Sequence, residues 1–151
     1  MKIGVISDTH GLLRPEVTAV LEEVDVILHG GDIGGQDILD ALGELAPVYA
    51  VRGNNDWGYW GETIPLTRDL DLGGLRICMA HMKRDLPGDL SAFDLVVTGH
   101  THKYAESRQD MVLLLNPGSC GPRRFGRPIT LALAEAGEQG IALQRVDIPW
   151  D

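Results

Sequence analysis

Short apolar runs alternate with amphipathic segments through the first third of the chain. Residues 2–7, 24–28 and 47–51 are rich in branched apolar side chains, which is typical of buried strands. Between them, apolar residues recur at helical spacing after Pro15 and again from Ile38, which predicts two amphipathic helices. Such alternation implies parallel strands joined by right-handed crossovers. The chain is therefore expected to belong to the α/β class.

The rest of the chain favours hairpins over crossovers. Gly73-Gly74 separates two strand-like segments, and similar pairs of segments recur twice further along. The strands predicted in this part are 66–72, 75–80, 95–98, 104–107, 111–115, 129–134 and 141–148. One weak helix is predicted around residues 86–93. We expect a β-sandwich with helices on its outer faces, mostly parallel in the first half and mostly antiparallel in the second.

Composition narrows the classes of partner. The chain has 151 residues, which suits one domain, and a net charge of −9. A long nucleic-acid footprint needs a basic face, so no such partner is expected. The apolar runs are far shorter than a membrane span, and Asp8 interrupts the N-terminal one, so a cytoplasmic location is expected. We expect the two cysteines, Cys78 and Cys120, to be reduced.

Side chains that bind metals follow the predicted strands. Ligands of open α/β sheets bind at the carboxyl ends of the strands. The candidate ligands at such positions are Asp8, His10, Asp32, Asn54, His81, His100 and His102. Carboxylate, imidazole and amide groups together suit Mn²⁺, Fe²⁺, Co²⁺, Ni²⁺ or Zn²⁺ better than an all-oxygen cage for Mg²⁺ or Ca²⁺. The remaining histidine, His29, lies inside a predicted strand, and we interpret it as structural.

The order of these motifs carries a family resemblance. Asp-x-His, Gly-Asp, Gly-Asn, His and Gly-His-x-His, in that order, resemble the calcineurin-like metallophosphoesterase superfamily. The short chain, Ile6-Ser7-Asp8-Thr9-His10-Gly11 and Asn116-Pro117-Gly118-Ser119 are similar to its small bacterial and archaeal phosphodiesterase branch. The resemblance implies one metallophosphoesterase domain over residues 1–151. It also implies a four-layer α/β/β/α sandwich of two mixed sheets flanked by helices.

The resemblance also implies roles for these residues. One ion would be held by Asp8, His10, Asp32 and His102, and the other by Asp32, Asn54, His81 and His100, with Asp32 bridging. The ions would be two divalent transition metals, with Mn²⁺ favoured over Fe, Co, Ni or Zn. The candidate catalytic residues are thus Asp32, Asn54 and His81, together with Asn55 at the position of the family's proposed general acid. A metal-bridging hydroxide would attack phosphorus in line.

Two positions depart from the family pattern. Asn55 stands where many relatives have the histidine proposed as general acid, which leaves the identity of the acid open. Met82 stands where a glycine commonly follows the histidine. Asp56 is a candidate to orient Asn54 or a neighbouring group from behind the ligands.

Arginines and aromatic residues offer further candidates. Arg52, Arg123 and Arg124, with Arg127 beside them, could bind a phosphate oxygen of a small phosphorylated substrate, or could be solvated surface residues. The aromatic cluster Trp57, Tyr59 and Trp60 fits a substrate wall, an interface between copies in a homo-oligomer, or ordinary packing. Residues 116–119 fit either a substrate-side loop or a tight turn.

Three functions remain open on the sequence. The favoured one is a phosphodiesterase that hydrolyses small phosphodiesters. A phosphomonoesterase could use the same site, because the ligand set does not distinguish the two esters. A protein-assembly scaffold is the third, since relatives of this kind exist that have lost metal ligands. All seven ligand positions are filled here, which favours an enzyme.

Overall fold

The computed structural model describes residues 1–150, which build two five-stranded sheets. The strands are β1 (Lys2–Ile6), β2 (Val26–His29), β3 (Val48–Ala50), β4 (Thr67–Leu72), β5 (Leu75–Ala80), β6 (Leu95–Val97), β7 (Tyr104–Gln109), β8 (Val112–Pro117), β9 (Ile129–Gly137) and β10 (Gly140–Ile148). The helices are α1 (Pro15–Leu21), α2 (Gln36–Gly43) and α3 (Tyr59–Glu62), with a 3-10 helix at Lys83–Asp85. Within residues 1–150, no helix is both long and apolar enough to cross a membrane.

Each sheet contains three adjacent parallel strands. The first sheet has the order β10-β9-β1-β2-β3, in which β1, β2 and β3 run parallel. The second has the order β4-β5-β6-β8-β7, in which β5, β6 and β8 run parallel and β4 and β7 are antiparallel edges. The second half is mostly antiparallel, as expected, since four of the six pairings that involve β4 to β10 are antiparallel. The parallel pairings at the centre of this sheet were not expected. In the β7–β8 hairpin, the second strand, β8, is the one that pairs with β6, and it runs parallel to β6.

Two apolar cores hold the layers together. Alternate residues of β1 serve different cores, because successive side chains of a strand point to opposite faces. Ile3 and Val5 lie in the core between the sheets, whereas Ile6 lies in the core under the helices. Gly4 allows α1 to approach closely, since a Cβ at this position would overlap the side chain of Leu21. Burying a side chain such as Leu21 contributes roughly 1.5–3 kcal/mol.

The outer face of the second sheet is covered mainly by irregular chain. Phe93 packs there against Cys78 and Val96. The helix predicted around residues 86–93 was wrong, because this segment forms turns after the short 3-10 helix. Pro87 and Gly88 are poor helix formers, and the Asp89 carboxylate accepts a hydrogen bond from the Ser91 backbone at 2.9 Å. The expected α/β class with two mixed sheets is confirmed.

Candidate metal centre

All seven candidate ligands lie together at one end of the sandwich. In the first sheet the ends of the parallel strands are level, since Ile6 pairs with His29 and His29 with Ala50. The second sheet has the same arrangement in its own parallel strands. The loops that follow these strands carry Asp8, His10, Asp32, Asn54, His81, His100 and His102. Parallel strand ends therefore position the site, as the sequence led us to expect.

The ligands form two adjacent groups. In the first, one ligand atom each from Asp8, His10 and His102 lies within 4.8 Å of the others. The second comprises Asp32, His81 and His100, which satisfy the same distance. The Asn54 amide oxygen lies 3.2 Å from His100 Nδ1, which adds Asn54 to the second group.

Asp32 lies between the two groups. Its Oδ2 atom is 3.3 Å from His81 Nε2 in its own group and 3.6 Å from His10 Nε2 in the other. Asp8 Oδ1 lies 3.3 Å from His102 Nε2 and also 3.9 Å from His81 Nε2. The position of Asp32 is the one that a ligand shared by two cations needs.

The unpaired atoms of the site fit cations. Asp8 Oδ1 and His81 Nε2 are buried and make no hydrogen bond within residues 1–150. His81 Nδ1 lies 2.7 Å from the Gly30 carbonyl oxygen, to which a protonated Nδ1 donates, so Nε2 keeps its lone pair. A buried carboxylate oxygen and an imidazole lone pair without partners are costly unless a ligand satisfies them. The donor set is therefore suited to divalent metal ions.

The backbone at the site is held in an uncommon conformation. Positive φ angles occur at five of the seven candidate ligands: Asp8 (57°), His10 (46°), Asp32 (56°), His100 (76°) and His102 (61°). Only a few per cent of non-glycine residues adopt this conformation, and such strain clusters at functional sites. The sharp turns direct consecutive polar side chains into one volume.

Charge keeps the two carboxylates ionised. Burial alone would raise the pKa of Asp8, but the nearby imidazoles of His10, His102 and His81 hold that pKa well below its ordinary value. Burial opposes ionisation of Asp32 too, yet the nearby His81 ring and the hydrogen bond from the Asn55 backbone lower its pKa. Burial would lower the pKa of His81, and the nearby carboxylates of Asp32 and Asp8 raise it. The site thus attracts positive charge, whether protons or metal ions.

Asp56 supports the loops that carry two of the ligands. Its buried carboxylate accepts three backbone hydrogen bonds, from Ile33 (2.9 Å), Gly34 (3.2 Å) and Gly53 (2.8 Å). The first two donors follow Asp32 and the third precedes Asn54. Asp56 therefore fixes the backbone beside both candidate ligands, and its hydrogen bonds go to backbone groups and not to the Asn54 side chain.

Asn55 contacts the ligand that lies between the groups. Its backbone N–H donates to Asp32 Oδ1 at 2.9 Å, and its side-chain Nδ2 donates to Asp32 Oδ2 at 2.9 Å. Both oxygens of Asp32 are thus oriented by one residue.

Residues 116–119 act as a structural brace. The buried Asn116 side chain donates to the Gly99 carbonyl at 2.9 Å and to Thr101 Oγ1 at 3.1 Å, in the loop of His100 and His102. Ser119 Oγ donates to the Asp8 carbonyl at 2.9 Å. This segment therefore connects loops of the two sheets behind the ligands.

His29 is a structural residue, as expected. Gly31 N donates to its Nδ1 at 3.1 Å, so the proton is on Nε2, which lies 3.0 Å from Thr9 Oγ1. Complete burial lowers the pKa of His29 to about 4, so the ring is neutral near pH 7. Both ring nitrogens are used within the fold.

A cavity of about 420 Å³ adjoins the second group. We call it the side cavity, and its lining includes Arg52, Asn54, Trp57, Leu66, His81, Met82 and Arg84. Of the predicted substrate-binding arginines, Arg52 lies here, and Arg84 joins it although the sequence did not single it out. Arg123 instead lies over the Trp150 ring, 3.4 Å from its centroid, and Arg124 is exposed elsewhere. Arg127 donates to the Thr101 carbonyl between the last two histidines.

The aromatic cluster divides into two parts. Trp60 packs against the core under the helices, which is ordinary packing. Trp57 and Tyr59 remain 75% and 90% exposed. Only Trp57 of the two borders the side cavity.

Comparison with known proteins identifies the family. Residues 1–139 match the calcineurin-like phosphoesterase superfamily domain. A probable metallophosphoesterase of Methanothermobacter thermautotrophicus is 38% identical over 154 residues, covering 92% of this chain and 88% of that protein. The chain belongs to the calcineurin-like phosphoesterase superfamily, and it is a metal-dependent hydrolase of phosphate esters. Membership implies divalent metal ions as cofactors.

Two further relatives bear on the structure and the ester. A phosphodiesterase of Methanocaldococcus jannaschii is 28% identical over 145 residues, covering 80% of this chain and 84% of that protein. The solved structure of an archaeal phosphodiesterase superposes with a TM-score of 0.81 at 25% identity, covering 98% of this chain and all of that one. Vps29 of Entamoeba histolytica, solved with Zn²⁺, has a TM-score of 0.72 at 25% identity, covering 97% and 99%.

Proposed function

We propose that this protein hydrolyses small phosphodiesters with two divalent transition-metal ions, Mn²⁺ above all. The observation that carries the proposal is the pair of ligand groups with Asp32 between them. The diester preference follows the relatives named as phosphodiesterases. The alternative of a protein-assembly scaffold is not favoured, because every candidate ligand position is filled in this chain.

The distances within the two groups support the following ligand roles. Asp8, His10 and His102 would hold one cation, whereas Asn54, His81 and His100 would hold the other, and Asp32 would contact both. Two bound cations would neutralise phosphate oxygens and lower the pKa of a water molecule toward neutrality. His81 would bind through Nε2, because its Nδ1 is committed to the Gly30 carbonyl.

The surrounding residues position the reacting groups. Asn55 holds both oxygens of Asp32, so its amide is engaged with a ligand. An amide has no useful acidity, so Asn55 cannot protonate a departing oxygen. Arg52, which lines the side cavity with Asn54, would bind a phosphate oxygen of the substrate.

Hydrolysis of two related esters tests the proposal. With Mn²⁺, bis(p-nitrophenyl) phosphate should be cleaved faster than p-nitrophenyl phosphate, and a chelator should abolish both activities. Asp32→Asn should remove activity and release at least one metal ion, whereas Asp40→Asn, an exposed control, should do neither. Faster cleavage of the monoester would favour a phosphomonoesterase. Full activity in the Asp32→Asn variant with two bound ions would refute the ligand assignment.

A further inference from the structure

The side cavity lies on one flank of the metal centre. Asn54 and His81 of the second group line it, whereas Asp8, His10 and His102 do not. In an in-line displacement, the leaving group departs directly opposite the attacking oxygen. The substituent that stays on phosphorus points sideways instead. The side cavity is therefore placed to receive the retained arm of a phosphodiester.

Trp57 presents a flat apolar surface to this cavity. Three-quarters of the residue is exposed, although the backbone beneath it is fixed. Asp56, the preceding residue, accepts three backbone hydrogen bonds. Gly61 packs against the Asp56 carbonyl so closely that a Cβ there would overlap it. Leu66 and Met82 add further apolar lining. A rigid backbone thus holds an exposed indole beside the centre.

Charged side chains line the same cavity without neutralising one another. Arg52, Arg84, Glu62 and Asp85 all border it. Within residues 1–150, none of them forms an ion pair at 4.0 Å or less. Guanidinium groups need acceptors and carboxylates need donors. An alkyl arm would supply neither, whereas a heteroaromatic ring with sugar hydroxyls offers both.

We propose that the side cavity binds a flat heteroaromatic group, such as a nucleobase, on the retained arm of the substrate, stacked on Trp57. The inference rests on the phosphodiesterase function proposed above. A volume of about 420 Å³ accommodates a group of that size. Loss of base stacking on an aromatic side chain corresponds to roughly 5- to 150-fold in kcat/KM.

Three diesters with a common leaving group test this inference. The methyl, phenyl and thymidine-5′ esters of p-nitrophenyl phosphate all release p-nitrophenolate and differ only in the retained arm. The wild type should prefer thymidine over phenyl and phenyl over methyl. Trp57→Ala should reduce kcat/KM for the thymidine ester roughly 5- to 150-fold and leave the methyl ester within about twofold. Trp57→Phe should restore most of the loss. Tyr59→Ala, an exposed aromatic outside the cavity, should behave as wild type.

The outcomes separate this inference from the function on which it rests. Three results would overturn the nucleobase site while leaving the phosphodiesterase function intact. They are an equal loss of kcat/KM on all three esters in Trp57→Ala, no loss in that variant, or a phenyl ester that the wild type cleaves at least as well as the thymidine ester. If no ester is hydrolysed, the proposed function fails. Calorimetric titration with adenosine 5′-monophosphate then tests separately whether the side cavity binds a nucleobase. Binding weakened by Trp57→Ala but not by Tyr59→Ala would support the site, and unchanged binding would overturn it.

Discussion

Replacing Asp56 by Asn should weaken both the fold and the metal centre. The carboxylate accepts Ile33 and Gly34 on one oxygen and Gly53 on the other. An amide has only one acceptor oxygen, so at least one backbone N–H would face an NH₂ group. Leaving one buried donor unpaired costs about 1–3 kcal/mol, and the remaining bonds lose the assistance of the negative charge. We expect a total loss of about 2–4 kcal/mol in the free energy of unfolding.

Urea unfolding of the metal-free protein measures this loss. For a domain of this size, it corresponds to a decrease of roughly 5–15 °C in Tm. Because Asp56 fixes the backbone beside Asp32 and Asn54, Mn²⁺ affinity should also fall about 10- to 100-fold. Asp40→Asn is the matched control, since that exposed carboxylate accepts only a side-chain bond from Gln36. A loss below about 0.5 kcal/mol in Asp56→Asn, no larger than in the control, would refute the bracing role.

Three further changes test other parts of the site. The pKa of His29 is about 4 in the folded protein and about 6.5 in the unfolded chain. Between about pH 6.5 and pH 4, therefore, only the unfolded chain is protonated at His29. The free energy of unfolding should fall over this range by up to about 1.4 kcal/mol for each unit that the pH decreases. His29→Gln should reduce that slope in urea titrations of the metal-free protein at pH 4.5–6.5, and an unchanged slope would contradict the assignment. The kcat of the wild type should fall steeply as the leaving group of a diester becomes more basic. Asn55→His should make this dependence shallower by raising kcat for poor leaving groups, by up to about 10²–10⁴-fold. A flat dependence in the wild type would mean that another residue is the general acid. Gly53→Ala should lower Mn²⁺ affinity at least about tenfold, because the new Cβ would overlap the backbone and carboxylate of Asp32. Gly43→Ala is the control and should leave the affinity unchanged, since there is open space around Gly43. Equal Mn²⁺ affinities in the two variants would contradict the close approach of Gly53 to Asp32.

The sequence predicted the strands better than their arrangement. Buried strands leave apolar runs and hairpins leave Gly73-Gly74, so most strand positions were expected correctly. The parallel pairing of β5, β6 and β8 was not expected, because the sequence does not show which strand of a hairpin lies next to an earlier strand of the sheet. The helix expected at residues 86–93 failed because a few apolar residues at helical spacing, here Leu86, Leu90 and Phe93, can also cover a sheet from irregular chain.

The candidate site was predicted in its residue types but not in its supports. Motif order singled out seven candidate ligands, and the fold brings them together. The left-handed backbone at residues such as Asp8 and His102 has only a weak sequence signal, because Asp and His are enriched in that conformation but adopt it far less readily than glycine. Arg84 was missed because it reaches the side cavity from a distant turn. The contact of Arg123 with Trp150 was not expected either, because Trp150 lies far from it in the chain.

Anomalous diffraction from crystals soaked in Mn²⁺ would locate the metal ions of the dinuclear centre. We expect two manganese peaks, one among Asp8, His10 and His102 and the other among Asn54, His81 and His100. The Asp32 carboxylate should contact both, with the ions about 3.5–4 Å apart. A single peak, peaks away from these side chains, or an Asp32 that touches neither ion would contradict the dinuclear centre on which the proposed function rests.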